Sequence, residues 1–376
     1  MPGFELINKK ELKAIEKIFR DGGILFAHGF DALRKEYNVR EFEKLCCKKF
    51  VCKNSLAVTS GTAAIKIGLK ALGVKPGDEV ITQAFNFIAT VEAILDIGAK
   101  PIIANVNDSL NMDPLDLKNL INSKTKVILP VHMLGVPAEM NVIKKISRKH
   151  GLKILEDNCE AIGAKFDGKY LGTIGDAGAL SFDFGKIITT GEGGMLLTNN
   201  RKLDKYAREY HDHGHENNPS LPRGKDTKTI YGFNYRMTEM QGAIGRVQLK
   251  KLTEIIKKNK LRYQALHGLI KNKFKFRRIP ASSEIIFDTL IFIEENKKIR
   301  EKIIKVLVSE GFGTKNLPDA IEWHCASYWK HALTKNQILR SKITQKLLEK
   351  TIAVPIWIRR SVKDYVELGK KIKELK

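Results

Sequence analysis

Between residue 55 and about residue 200 the chain alternates short apolar runs with longer amphipathic stretches, and this alternation limits its fold more than any other feature. The runs at 56–59, 79–82, 101–106, 126–131, 152–156, 179–182 and 195–198 are rich in Val, Ile and Leu. Such runs read as strands buried on both faces. The stretches 63–72, 87–97 and 140–150 read as helices, and Gly73 and Gly98 stand where glycine ends a helix. Parallel neighbours need a crossover, so strand–helix alternation predicts an α/β fold, a mostly parallel sheet with helices on both faces. In such sheets ligands collect at the carboxyl ends of the strands.

A chain of 376 residues exceeds one ordinary domain. The pattern predicts a large domain over 1–250 and a smaller C-terminal α+β domain over 251–376, with residues 1–35 packing on either. No apolar run is long enough to span a bilayer, and the opening residues lack the pattern of a signal peptide. Cys46, Cys47, Cys52, Cys159 and Cys325 are odd in number and make no CxxC pair, so free thiols in a reducing, cytoplasmic compartment are expected. The net charge is +24, and residues 248–278 hold eleven Lys or Arg against the single acid Glu254. Clustered cations suit nucleic acid. Here the excess is mostly Lys in a chain rich in Ile and Asn, which fits solvated helix faces with Leu249, Leu252, Ile255 and Ile256 turned to the core. No nucleic-acid partner is expected; a general attraction for anionic substrates is.

Four segments put polar groups at strand ends. Ser60-Gly61-Thr62-Ala63-Ala64 joins a strand to a helix whose first N–H groups can either cradle a phosphate or simply be capped by Ser60 or Thr62. Leu155-Glu156-Asp157-Asn158-Cys159-Glu160 runs from apolar residues into Asp157, a carboxylate that needs a partner if it is buried. In Ser181-Phe182-Asp183-Phe184-Gly185-Lys186, followed by Ile187 and a Gly-rich turn at 191–194, Lys186 stands among apolar side chains. Burial disfavours the ammonium, so a lowered pKa and a nucleophilic amine able to form a Schiff base are expected there. Gly232-Phe233-Asn234-Tyr235-Arg236-Met237-Thr238-Glu239 leads into a long helix.

In this order SGTAA, EDNCEA, SFDFGKIITTGEGG and GFNYRMTE resemble the DegT/StrS family of pyridoxal-phosphate-dependent sugar aminotransferases, over most of the chain from the opening MPGFE to at least Gly245. The passages MPGFEL, Gly29-Phe30-Asp31, Ser181-Phe182-Asp183 and His211-Asp212-His213-Gly214-His215 are similar to the branch that makes 8-amino-3,8-dideoxy-manno-octulosonate, an amino sugar of lipopolysaccharide. The resemblance implies a fold-type-I aminotransferase and a homodimer with shared active sites. It implies that Lys186 carries the cofactor, pyridoxal 5′-phosphate, as a Schiff base and that Asp157 pairs with the pyridine nitrogen. Gly61, Thr62 and Ser181 hold the phosphate, joined by Asn234 of the partner subunit, and Phe87 stacks on the ring. Glu160 stands where the family usually has Gln or His beside the ring hydroxyl, Gln83 replaces a frequent proline, and Asp183 replaces a frequent histidine. One dehydratase branch of the family has histidine in place of the lysine, and Lys186 argues against that chemistry. Substrate contacts are expected from Asp183, His213, His215 and Tyr235.

The implied reaction moves an amino group from L-glutamate to a keto sugar. That sugar is an 8-oxo-octulosonate or, alternatively, a nucleotide-linked keto-deoxyhexose; a non-catalytic basic protein on the same scaffold is a third reading. His211, His213 and His215 have a spacing that metal ligands use, but the family uses this loop without a metal, and none is expected. The segment Trp323-His324-Cys325-Ala326-Ser327-Tyr328-Trp329 lines the sugar side or belongs to a core.

Overall fold

A computed structural model describes residues 2–218 and 220–376; Met1 of the opening motif lies outside the described residues. All seven apolar runs are strands, with ends displaced by a few residues: β1 (Asn54–Val58), β2 (Glu79–Gln83), β3 (Lys100–Ala104), β4 (Thr125–Ile128), β5 (Lys153–Asp157), β6 (Ala177–Ser181) and β7 (Gly194–Thr198). They form one sheet in the order β1-β7-β6-β5-β4-β2-β3. The neighbours from β6 through β3 are parallel, and β7 runs antiparallel to both β1 and β6. The sheet is therefore mostly parallel.

The helices are α1 (Lys9–Arg20), α2 (Asn38–Phe50), α3 (Gly61–Ala71), α4 (Ala89–Asp96), α5 (Pro114–Leu120), α6 (Met140–His150), α7 (Arg201–Tyr210), α8 (Glu239–Ile270), α9 (Lys297–Ser309), α10 (Lys335–Leu348) and α11 (Val362–Glu374). Gly73 follows α3 at φ 85° and Gly98 follows α4 at φ 76°, the left-handed turns that only glycine adopts without cost. Successive strand residues point to opposite faces. Leu56, Val58, Leu155 and Leu196 join Ile65, Ile67 and Leu69 of α3 in one core. Ala57, Ile81, Leu180 and Leu197 join Phe42 of α2 and Leu249, Leu252 and Ile255 of α8 in the other.

A second sheet, β8 (Lys275–Phe276), β9 (Thr289–Ile293) and β10 (Thr351–Pro355), is antiparallel in the order β8-β9-β10. Its residues Leu290, Phe292, Ile352 and Val354 pack with Leu266 and Ile270 of α8, Ile303 and Leu307 of α9, and Tyr365 and Leu368 of α11. Residue 250 lies inside α8. The first half of that helix touches α2, where a Cβ on Gly245 would meet the Phe42 ring at 2.5 Å, and its end serves the second sheet. The opening segment reaches both parts. Gly3 N–H donates to the Lys186 carbonyl (3.1 Å), the Phe4 ring stacks on Phe184 (4.7 Å between centroids), and Glu5 accepts from Ile358 N–H (2.7 Å). Among the described residues no helix is long and apolar enough to cross a membrane.

Candidate active site

The carboxyl ends of β1, β2, β4, β5 and β6 open on a cavity of about 420 Å³. Its walls include Gly61, Thr62, Phe87, Asp157, Glu160, Ser181, Asp183 and Lys186, so eight of the residues singled out in the sequence meet in one place. At the end of β1, Ser60 caps α3 by accepting from Ala63 N–H (3.1 Å), which leaves the Gly61 and Thr62 N–H groups facing the cavity without intrahelical partners. A Cβ on Gly61 would stand 2.8 Å from Ser181 Cβ and 2.9 Å from Cys159 Sγ, so only glycine lets the helix start this close to β5 and β6. The capping and anion-cradling readings of this segment therefore coexist on different N–H groups.

Asp157 ends β5 and is 4% exposed. Its Oδ2 accepts from Thr90 Oγ1 (2.7 Å) and its Oδ1 from Cys159 N–H (3.1 Å). Neither donor is a cation, so this buried carboxylate has the hydrogen bonds it needs to stay in place and, among the described residues, forms no ion pair. Phe87 is 45% exposed toward the cavity, with Trp323 and His324 behind it at 6.4 and 5.5 Å between centroids. Ser181 Oγ accepts from Asp183 N–H (3.3 Å), which leaves its proton to donate elsewhere. Asp183 shapes the turn that presents the lysine: its Oδ1 accepts from Gly185 N–H (2.9 Å) and its carbonyl from Lys186 N–H (3.0 Å).

Lys186 Nζ donates to Glu160 Oε1 (3.4 Å), with both side chains mostly buried. The expected lowering of the lysine pKa is corrected here. Burial does push it down, but Glu160, Cys159, Asp183 and Asp157 push it up more strongly, and the net direction is up. Glu160 shows the reverse balance. Burial raises it, yet Lys186, Lys315, His324 and the Leu134 N–H hold it down at about 2. It is therefore an ionised acceptor for Lys186, and the charge of Lys315 also favours its ionised form. Lys315 in turn donates to Asp288 Oδ2 (2.6 Å), next to β9.

Gln83, at the end of β2, has a structural role. Its Oε1 accepts from Met112 N–H (3.0 Å) and Val131 N–H (3.2 Å), and its Nε2 donates to the Phe85 carbonyl (2.8 Å), fixing the loop that carries Phe87. Thr90, Cys159 and Asn316 also reach the cavity and have no role assigned from sequence, and His324 joins them from the 323–329 segment. Thr90 falls in the stretch 87–97, which reads as a helix and in which only Phe87 carries a site expectation. For Asn316 the sequence carries no signal, because it arrives from more than a hundred residues beyond the sheet. The 323–329 segment divides: His324 lines the cavity and donates through Nδ1 to the Ala320 carbonyl (2.8 Å), whereas Cys325, Ala326 and Trp329 are core.

Asn234, Tyr235, His213 and His215 do not line this cavity within one chain. Asn234 Oδ1 accepts from Arg236 N–H (3.3 Å), Tyr235 packs on Tyr210, and His215 Nδ1 meets Asp226 Oδ2 at 3.1 Å. Asp212 accepts from Arg223 and Arg236, which holds it below the usual carboxylate range despite burial. Among the described residues no cluster of three or more His, Cys, Asp or Glu is arranged to hold a metal ion.

A family model described as DegT/DnrJ/EryC1/StrS aminotransferase matches residues 27–373. The GDP-perosamine synthase of Caulobacter vibrioides is 40% identical over 216 residues, 57% of each chain, so the match spans little more than half of that relative. An uncharacterized protein of Methanocaldococcus jannaschii is 30% identical over 351 residues, 89% of each chain. A solved aminotransferase from Psychrobacter cryohalolentis superposes with a TM-score of 0.84 at 26% identity, covering 96% of both chains.

Proposed function

The chain belongs to the DegT/DnrJ/EryC1/StrS aminotransferase family, and from that premise we propose that it is a pyridoxal-phosphate-dependent aminotransferase that moves an amino group from L-glutamate to a keto sugar. One observation carries the reading: a buried amine, a buried carboxylate without a cation and two free helix N–H groups face one cavity. These groups fit an aldehyde, a cationic ring nitrogen and a phosphate respectively. When bound, pyridoxal phosphate supplies an aldehyde that an amine can join and a ring that takes up the electron pair released at a donor's α-carbon.

The chain's own residues do the rest. The Gly61 and Thr62 N–H groups and the Ser181 hydroxyl bind the phosphate, and the exposed face of Phe87 supports the ring. Asp157 would keep a proton on the ring nitrogen, and the low dielectric of the cavity would make that ion pair strong. Lys186 Nζ would anchor the aldehyde, and as a free amine it would stand ready to take a proton as general base and return it as general acid. Glu160 accepts from the lysine ammonium while it waits.

The keto sugar we propose is 8-oxo-3,8-dideoxy-manno-octulosonate, giving the 8-amino sugar acid for lipopolysaccharide in the cytoplasm. The motifs MPGFEL, SFD and HDHGH support this, and a sugar carboxylate suits a chain of net charge +24. A nucleotide-linked keto-deoxyhexose is the second reading, favoured by the likeness to GDP-perosamine synthase. A homodimer in which Asn234 of the partner subunit joins the phosphate site fits the distance of Asn234 from the cavity in one chain. The division into domains at 1–250 and 251–376 belongs to the same reading. The cofactor spectrum before and after L-glutamate tests the first half-reaction, and an unchanged spectrum refutes it. Assays with both keto sugars then decide the substrate.

A further inference from the structure

Two residues of the cavity wall have unused hydrogen-bonding groups and no part in the chemistry above. Asn316 reaches the cavity from the margin of the second sheet. Lys315 N–H donates to the Ala353 carbonyl of β10 (2.9 Å), and Ala353 N–H donates to the Leu317 carbonyl (3.1 Å). Leu317 N–H also donates to the Lys315 carbonyl (2.8 Å), which closes a three-residue turn with Asn316 at its tip and φ 66°. Strained turns of this kind persist where the surroundings hold them, and they concentrate at ligand sites. The Asn316 amide bonds to no described residue, and its Nδ2 is buried without a partner. An amide torsion is two-fold, so Nδ2 and Oδ1 exchange places at little cost and the donor can face the cavity.

His324 is held from the loop that follows β2: Asn86 N–H donates to its carbonyl (3.1 Å), and Ala326 N–H donates to the Ala84 carbonyl (2.9 Å). Its ring stands 5.5 Å from that of Phe87. Nδ1 donates to the Ala320 carbonyl, so in the neutral ring the proton is on Nδ1 and Nε2 keeps a lone pair with no partner among the described residues. Burial pushes the His324 pKa down against the pull of Glu160, which keeps the ring neutral at pH 7. An N–H donor and a lone-pair acceptor in one cavity suit a group that both accepts and donates. A hydroxyl does both, whereas a carboxylate has no proton to give Nε2. Both candidate sugars carry a hydroxyl on the carbon next to the reacting carbonyl, and L-glutamate has none. We propose that Asn316 and His324 bind this hydroxyl, Nδ2 donating to its oxygen and Nε2 accepting from it, and so select α-hydroxy carbonyl sugars as amino acceptors.

This selection deepens the aminotransferase reading and rests on it, so the test separates the two. Enzyme loaded with pyridoxal phosphate is treated with L-glutamate and then mixed rapidly with 8-oxo-3,8-dideoxy-manno-octulosonate, with a nucleotide-linked keto-deoxyhexose, or with the analogue of either that lacks the neighbouring hydroxyl. The cofactor spectrum is followed throughout. The wild type should prefer the hydroxylated sugar to its analogue by about 100-fold or more. Asn316→Gly, which suits the left-handed φ, and His324→Phe, which keeps an aromatic ring beside Phe87, should each bring that preference to within about tenfold. Asn316→Asp has the same size without the donor, and should do no better than Asn316→Gly. A wild-type spectrum unmoved by glutamate refutes the aminotransferase reading, and the hydroxyl site falls with it. A spectrum that responds to glutamate, in an enzyme that takes neither sugar faster than its analogue or whose Asn316→Gly or His324→Phe variant keeps the wild-type preference, overturns the hydroxyl site alone.

Discussion

Lys186 and Glu160 set each other's protonation, and this has consequences for pH. Glu160 titrates lower in the folded chain than its ordinary 4.5, at about 2. Its contribution to stability is therefore present above the usual carboxylate range and is lost as pH falls from 4.5 toward about 2. Lys186 titrates above its ordinary value, so its contribution is present below 10.5 and is lost as pH rises beyond that. In cofactor-free protein, Glu160→Gln should lower the urea midpoint at pH 7, and the gap from wild type should close as the buffer is taken from pH 4.5 to 2. The same variant frees the lysine to deprotonate, so capture of pyridoxal phosphate, followed by absorbance, should extend to lower pH. Lys186→Ala removes both anchor and proton carrier, and turnover should drop by about 10³-fold or more; activity close to wild type in that variant contradicts the assignment. Both residues stand out in the sequence by position, Lys186 between a strand end and a glycine turn and Glu160 just past one. Their mutual effect does not. A lysine among Phe182, Phe184 and Ile187 reads as desolvated; of the four groups that raise its pKa only Asp183 is near in sequence, and Asp157, Cys159 and Glu160 come from a segment that only the fold brings to it.

The elements position these residues through close approaches that tolerate little change. Gly61→Ala places a methyl 2.8–2.9 Å from Ser181 and Cys159, so α3 must retreat from the strand ends. Overpacking of this kind costs about 1–3 kcal/mol, and here it should also weaken cofactor binding, measurable as a higher dissociation constant by fluorescence titration. At the start of α8, buried Glu239 accepts from Asn38 N–H (2.5 Å) and Val39 N–H (3.1 Å), so that one helix's first turn caps another. Glu239→Ala leaves those donors without an acceptor and takes the nearby carboxylate from Arg34, and it should destabilise the fold by about 3 kcal/mol in denaturant unfolding. The seven strands were readable because burial on both faces leaves uninterrupted Val, Ile and Leu. The cap by Glu239 was not, since a glutamate beginning a helix is commonplace and its partners stand two hundred residues away. The short hairpin strands at 165–166 and 169–170 also gave no signal, being too brief for any period.

For the molecule as a whole, the charge of +24 acts at a distance. Pyridoxal phosphate and an acidic sugar are both anions, so association should slow several-fold as salt rises through about 0.1 M, where screening reaches about 10 Å. Stopped-flow mixing of cofactor with cofactor-free enzyme measures this, and a rate indifferent to salt would remove the field from the account. The α/β class was legible throughout, whereas the way 1–35 attach was left between two alternatives. The chain uses both: Gly3 and Phe4 press on the Lys186 turn while Glu5 holds Ile358. During synthesis Glu5 leaves the ribosome 353 residues before the Ile358 backbone that it grips. The brace against the lysine turn is thus completed only after Ile358 has been made, and until then a nascent chain holds its reactive amine in a turn still missing one of its supports.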